Sequence, residues 1–222
     1  MTIDIKICGL KTPEAIDAAI AGGATHVGFI FFLKSPRNVD VETAADLAAR
    51  ARAGGAKTVA VTVDADDAFL ESIVRMVKPD MLQLHGAETP ERVKELKDRH
   101  GLPVMKAFSI RDATDLAKCV PYLGIADRFL FDAKAPEGSD LPGGNGVAFD
   151  WRLLATLDDG IDYMLSGGLD PENVAEALAI TGARALDVSS GVESAPGVKD
   201  INRIAAFLEA ARAAEARNGS RT

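Results

Sequence analysis

The sequence predicts a (β/α)8 barrel, and three observations carry that prediction. Short β-branched or aromatic runs alternate along the chain with longer runs of helical period, the cadence of strand–helix units around a parallel sheet. The strand runs are almost wholly apolar, as in Val27-Gly28-Phe29-Ile30-Phe31, which fits strands buried on both faces. The units number eight, at a spacing of ~25–30 residues, close to the proportions of such barrels. A doubly wound open sheet is the competing architecture. Against it, no G-x-G-x-x-G turn follows the first strand, and no insertion interrupts the cadence. Residues 1–216 therefore read as one barrel domain and 217–222 as a frayed tail.

The elements follow in order. Ile3 to Cys8 is the first strand. Thr12-Pro13-Glu14 opens a helix with a hydroxyl at the N-cap, proline at the first position and an acid in the first turn. Gly22-Gly23 stops it. Thr25 to Phe32 is the second strand; a loop, Lys34 to Asn38, precedes a helix over Val41 to Arg52. Strand Lys57 to Val63 leads to a helix over Asp66 to Val77. Strand Met81 to Leu84 ends at His85-Gly86, and Thr89 caps the next helix. Strand Val104 to Phe108 leads to a helix over Asp112 to Val120. Arg128 to Phe131 ends at Asp132 and a long loop, Ala133 to Val147. A short helix spans Phe149 to Leu157. Strand Tyr163 to Leu165 ends at Ser166-Gly167-Gly168, and Asp170-Pro171-Glu172 caps another helix. Ala185 to Val188 is the last strand, ending at Ser189-Ser190-Gly191; after Pro196-Gly197 the final helix covers Asp200 to Ala214.

Bulk properties exclude several function classes. With 25 basic and 33 acidic side chains the formal net charge is -8, unsuited to a general nucleic-acid or anionic-membrane binder. No apolar run approaches the ~20 residues that span a bilayer, and the N-terminus lacks a basic-then-apolar leader, so a cytoplasmic location is expected. Cys8 and Cys119 show no metal-ligand spacing, and a disulfide between them is not expected. No helix shows an extra apolar face, which points to a monomer.

In a barrel the loops after the strands share one face, and function gathers there. That rule selects Cys8, Arg37, Asp64, His85, Phe108, Asp132, the Gly143 to Gly146 loop, Ser166-Gly167-Gly168 and Ser189-Ser190-Gly191. Small residues after the last two strands let an anion approach the backbone and the helix N-termini there. Three such Gly/Ser clusters favour a phosphate cup over mere turns, with Ser190 to Glu193 starting a short extra helix. Cys8 reads as a buried hydrophobe or as a reactive thiol; its place at a strand end, before a glycine, favours the second. Asp132 is either a loop cap or an acid with a raised pKa. Arg37 offers a fork for a carboxylate or is solvated. His85 is either a ligand contact or satisfied by a neighbour, Lys6 an interior charge, Cys119 structural, and His26 and His100 without function.

Together these residues resemble a family. Lys6-Ile7-Cys8-Gly9, Gly28-Phe29 with Lys34-Ser35-Pro36-Arg37, Leu82 to Gly86, Asp132, Phe149-Asp150-Trp151, Leu165 to Leu169 with Pro171 to Val174, and Asp187 to Glu193 resemble phosphoribosylanthranilate isomerase, in order and over nearly the whole chain. The resemblance implies a single barrel that carries out an Amadori rearrangement in tryptophan biosynthesis. N-(5-phosphoribosyl)anthranilate becomes 1-(2-carboxyphenylamino)-1-deoxyribulose 5-phosphate. It implies that Asp132 is the general acid, Cys8 the general base and Arg37 the holder of the anthranilate carboxylate. His85 and backbone groups around Gly144, Gly146, Gly167, Gly168, Ser189, Ser190 and Gly191 would contact the phosphosugar-anthranilate substrate. Proton transfer of this kind calls for no redox cofactor and no metal. The chain departs from the pattern at Phe32-Leu33, where Tyr-Pro is expected, at Asp64, where Asn is expected, and in the long Glu137 to Asp140 approach to the glycines.

Other phosphate-binding barrel enzymes are the nearest rivals. Indole-glycerol-phosphate synthase calls for catalytic Lys and Glu at strand ends, and a pentose-phosphate epimerase for paired acids with metal-binding His. A non-catalytic phosphosugar sensor would keep the cup without an acid–base pair.

Overall fold

The computed structural model describes residues 2–133, 143, 148–158 and 160–219. Eight parallel strands close into a barrel in sequence order: β1 (Asp4–Cys8), β2 (His26–Phe31), β3 (Lys57–Thr62), β4 (Met81–Leu84), β5 (Val104–Ile110), β6 (Arg128–Ala133), β7 (Tyr163–Leu165) and β8 (Ala185–Val188). Closure comes from β1 lying between β2 and β8, with Lys6 opposite His26 on one side and Asp187 on the other. The helices are α1 (Pro13–Ala21), α2 (Val41–Ala53), α3 (Asp67–Val77), α4 (Pro90–His100), α5 (Ala113–Leu116), α6 (Val174–Thr181) and α7 (Ile201–Gly219).

The alternation of side chains along each strand makes two cores. Ile5 and Ile7, pointing outward, join Phe29, Phe31, Leu82, Leu84, Phe129 and Phe131 in the large cluster packed under the helices. Pointing inward, Met105, Ala107, Leu130, Met164 and Ala185 form a small apolar plug, and Val59 and Val61 pack with Cys8. The inward positions nearer the strand ends turn polar and buried: Lys6, Gln83, Asp132 and Asp187. That change of composition along the barrel axis separates a sealed floor from a reactive mouth.

Local sequence explains the helix starts. Thr12, Asp40, Asp66 and Thr89 each accept a backbone N–H three residues on, as N-caps do. Several boundaries differ from expectation. The helix expected over Asp112 to Val120 holds α geometry only from Ala113 to Leu116, then tightens into a 3-10 turn over Ala117–Tyr122, where Pro121 has no N–H to give. The expected Phe149 to Leu157 helix is a 3-10 segment, Trp151–Thr156, because Asp150 takes the cap position. Asp170 accepts the N–H groups of Glu172 and Asn173, and the helix begins only at Val174. Pro196-Gly197 turns a small hairpin, β9 (Glu193–Ala195) and β10 (Val198–Lys199), that the sequence reading did not foresee.

The last helix runs past Ala214 to Gly219. Its Glu215 accepts the Ile3 N–H, and its Arg212 donates to the carbonyls of Ile3 and Gly23, which clamps the start of the barrel to its end. No helix among the described residues is long and apolar enough to cross a membrane.

Candidate active site

At the C-terminal ends of the strands lies a cavity of about 770 Å³, mouth included. Cys8, Arg37, His85, Asp132, Gly143, Ser166, Gly167, Gly168, Asp187, Ser189 and Ser190 line it. The barrel rule thus gathers in one wall the thiol from β1, the carboxyl from β6 and the small residues after β7 and β8.

Cys8 is buried against Gly28, its register partner on β2. A β-carbon at position 28 would lie 2.8 Å from the Cys8 sulfur and 3.0 Å from Lys6 Cε, so only glycine leaves room for both side chains. Lys6 and Cys8, two residues apart, share the inner face of β1. Lys6 is fully buried, and its ammonium bonds Asp187 Oδ1 at 2.7 Å. The other carboxylate oxygen of Asp187 accepts the Ser166 hydroxyl at 3.1 Å. Burial pushes the Cys8 thiol up; the Lys6 charge opposes that without cancelling it, and Asp187 adds to the rise. Burial also works against the charge on Lys6, but Asp187 and the Cys8 sulfur outweigh it, so its pKa stands above the ordinary value.

Asp132 is buried at the end of β6, where Oδ1 accepts the Ala133 N–H at 2.9 Å. His85 Nε2 stands 3.7 Å from Asp132 Oδ2, and His85 Nδ1 is 3.1 Å from the Gln83 amide nitrogen. An amide NH2 only donates, so His85 accepts at Nδ1 and carries its proton at Nε2, facing Asp132. Burial, aided by the Lys106 charge, lowers the His85 pKa to about 4 and keeps it neutral. His85 is therefore a wall residue set by a neighbour, Gln83, with its other ring nitrogen turned toward the Asp132 carboxyl.

Arg37 is buried, and its Nε and Nη2 grip Glu193 of β9 at 2.8 Å each. The carboxylate its fork holds here belongs to the protein. Lys199 of β10 joins the same Glu193 at 2.7 Å and also donates to the Ser189 carbonyl at 2.8 Å. Although burial disfavours its charge, Glu193 is held below the usual carboxylate range by Arg37 and Lys199. Burial lowers the Lys199 pKa even with Glu193 beside it. The hairpin thus folds back to lock the loop after β2 to the loop after β8.

The residues expected to form a phosphate cup are placed differently from one another. Gly167, Gly168 and Ser190 stand in the wall, Ser190 opening a three-residue 3-10 turn, Ser190–Val192, where a short helix was expected. Ser189 lines the cavity, but its hydroxyl donates to the Cys8 carbonyl at 3.1 Å. Gly191 lies behind the wall: a β-carbon there would sit 1.9 Å from the Leu169 carbonyl oxygen. Gly144 and Gly146 lie outside the described residues.

Of the remaining candidates, Asp64 ties the loops after β3 and β4 together by accepting the Ala87 N–H, and Phe108 packs edge-on to Tyr122 and Phe129. Cys119, His26 and His100 stand outside the cavity wall. Asp187, Glu193, Lys199 and Gln83 carry no role that the sequence alone predicts. A signal existed for Asp187, a charge in an otherwise apolar parallel strand. Glu193 and Lys199 reach the site only through the unforeseen hairpin.

The chain is similar to known proteins over nearly its whole length. A family model described as N-(5'phosphoribosyl)anthranilate (PRA) isomerase matches residues 5–210. An N-(5'-phosphoribosyl)anthranilate isomerase of Rhizobium meliloti (strain 1021) is 65% identical over 216 residues, 97% of this chain and 100% of that one. One from Brucella canis is 66% identical over 216 residues, 97% of each chain. Among solved structures, the phosphoribosyl anthranilate isomerase of Thermotoga maritima superposes with a TM-score of 0.86 at 32% identity, covering 96% of this chain and 100% of that one. A second, solved in complex with reduced 1-(o-carboxyphenylamino)-1-deoxyribulose 5-phosphate, gives a TM-score of 0.83 at 30% identity with the same coverage.

Proposed function

The chain belongs to the N-(5'-phosphoribosyl)anthranilate isomerase family, and from that premise we propose that Cys8 and Asp132 are the base and acid of its reaction. The enzyme converts N-(5-phosphoribosyl)anthranilate to 1-(2-carboxyphenylamino)-1-deoxyribulose 5-phosphate in tryptophan biosynthesis. The observation that carries the residue assignment is one cavity lined by a buried thiol and a buried carboxyl, with small residues after β7 and β8 beside them.

Asp132 gives a proton to the furanose ring oxygen, and the ring opens to a Schiff base. Cys8 takes the proton from C2, the electrons move toward the iminium nitrogen, and the enolamine tautomerises to the ketone. Each step needs a proton held at a fixed point on one side of the sugar, which positioned side chains supply. Burial serves both ends: it strengthens the thiolate as a proton acceptor and excludes the water that would hydrolyse the Schiff base.

The phosphate, bound remotely by the backbone around Gly167, Gly168 and Ser190 with Gly144, Gly146 and Gly191, orients the sugar between acid and base. Recognition by local dipoles suits an acidic protein that must hold a dianion. Arg37, fixed in the wall by Glu193, orients the anthranilate carboxylate. His85, whose Nε2 faces the cavity beside the acid without a hydrogen-bond partner among the described residues, contacts the substrate. The protein works as a monomer in the cytoplasm; its exposed apolar side chains include Leu33 in the loop after β2, Phe69 on α3, Val120 and Leu123 at the 3-10 turn after α5, Val198 on β10 and Ile201 on α7. Light scattering at micromolar concentration checks this, and a stable dimer would contradict it.

The test uses phosphoribosylanthranilate made in situ and the loss of its anthranilate fluorescence. Cys8→Ala and Asp132→Asn each lower kcat by about 100-fold or more, the usual scale for a positioned acid or base. Full turnover in either variant removes that residue from its role. No turnover in the parent protein supports a phosphosugar binder without catalysis.

A further inference from the structure

Lys6 takes no part in the acid–base pair, yet it is fully buried and set against it. An ammonium so placed needs a reason, because burial of an ion costs several kcal/mol before its partner offsets it. Two potential anions converge on it. Asp187, opposite Lys6 in the β1–β8 register, bonds it at 2.7 Å. The Cys8 sulfur shares the face of Gly28 with it: a β-carbon at position 28 would lie 2.8 Å from that sulfur and 3.2 Å from Lys6 Nζ. Ser166 engages the far oxygen of Asp187 and holds the carboxylate in place.

We propose that Lys6 is the counter-ion of the Cys8 thiolate and that Asp187 competes for it, so that one ammonium shared between two anions sets how readily Cys8 gives up and regains its proton. The other groups around the thiol do not replace Lys6. Lys199 acts on it from β10 but is committed to Glu193 and the Ser189 carbonyl. Arg37 is gripped by Glu193, and His85 is neutral and faces Asp132. Gly28 on β2 brings no side chain. Lys6 and Asp187 are thus positioning residues. A substrate group that engages Asp187 would release Lys6 to the sulfur and coordinate thiolate formation with binding.

This deepens the assignment of Cys8 as base, but its first test does not depend on turnover. In a Cys119→Ser background, the rate of Cys8 alkylation by iodoacetamide is followed by mass spectrometry across pH. Lys6→Met raises the midpoint by about one to three pH units, the scale of an opposite charge at close range. Asp187→Asn lowers it, because the sulfur then has the ammonium to itself. The opposite signs are the signature. A general loosening of the site moves both midpoints the same way, and that outcome, or no movement in either, overturns the proposal.

Should Lys6→Met fail to fold, Asp187→Asn decides alone: a lowered midpoint supports the proposal, and an unchanged or raised one overturns it. In turnover, the acid limb of the kcat/KM profile follows the midpoint in each variant. A limb that stays still while the midpoint moves leaves the shared ammonium standing and takes the base role away from Cys8.

Discussion

Residue by residue, the site depends on what is missing as much as on what is present. Gly28 has no side chain, and the thiol and ammonium occupy the space that one would fill. Gly28→Ala therefore displaces Cys8 or Lys6 while leaving the outward packing of β2 intact. We expect kcat to fall by about 100-fold, the cost of misplacing a reacting group by ~1 Å, with thermal stability reduced far less. Equal retention of kcat and melting temperature would contradict the crowding argument. Arg37→Ala is expected to raise KM with a smaller fall in kcat. A fall in kcat at unchanged KM contradicts the role in holding the anthranilate carboxylate. This variant also leaves Glu193 with Lys199 as its cation, so its stability is to be measured beside its kinetics. Cys8, His85 and Asp132 were legible in the sequence because each closes a strand or opens its loop, and Arg37 because it lies in the loop after β2. Asp187 was harder, because nothing in a one-dimensional reading says that it sits opposite Lys6.

At the level of elements, the loops after β7 and β8 are built by close backbone approach. Gly191 lies against the Leu169 carbonyl, and Arg203 of α7 donates to the Gly191 carbonyl at 3.0 Å. Gly191→Ala forces the two loops apart. Overpacking of this kind costs about 1–3 kcal/mol, and on the proposed phosphate site KM rises as these loops part, both readable by denaturant titration and steady-state kinetics. An unchanged KM would mean that Gly191 takes no part in shaping the cup. Strand and helix existence was legible from period and caps, because those signals are local. Boundaries failed where a single residue overrode the pattern: Pro121 in the 3-10 turn, Asp150 as a cap, Asp170 delaying α6. The hairpin β9–β10 failed for a different reason. A Pro-Gly turn followed by a capping Asp200 suits a helix start as well as a hairpin, and only the buried Arg37–Glu193–Lys199 cluster selects the hairpin.

At the scale of the whole molecule, acid sensitivity follows from two buried imidazoles. Burial lowers the pKa of both His26 and His85 to about 4. The unfolded chain binds those protons near pH 6.5, so below that value it holds more protons than the folded barrel. Stability is complete above about pH 6.5 and declines as the pH falls toward about 4, where both states are protonated. Melting temperatures measured across this window should fall with pH, and His26→Gln should flatten the slope. A slope unchanged by His26→Gln would assign the acid sensitivity to other groups. His26 sits by Thr25 at the start of β2, away from the cavity, so the variant separates stability from catalysis.

The pairing of β1 with β8 has a bearing on synthesis. Cys8 leaves the ribosome well before Asp187, Ser189, Glu193 and Lys199. Until β8 docks beside β1, Lys6 has no carboxylate opposite it, and of the charges that act on the thiol in the folded barrel only Lys6 is in place. The nascent chain therefore carries Cys8 beside an unshared Lys6 until β8 has been made, and barrel closure is the event that both completes the fold and brings Asp187 to that ammonium.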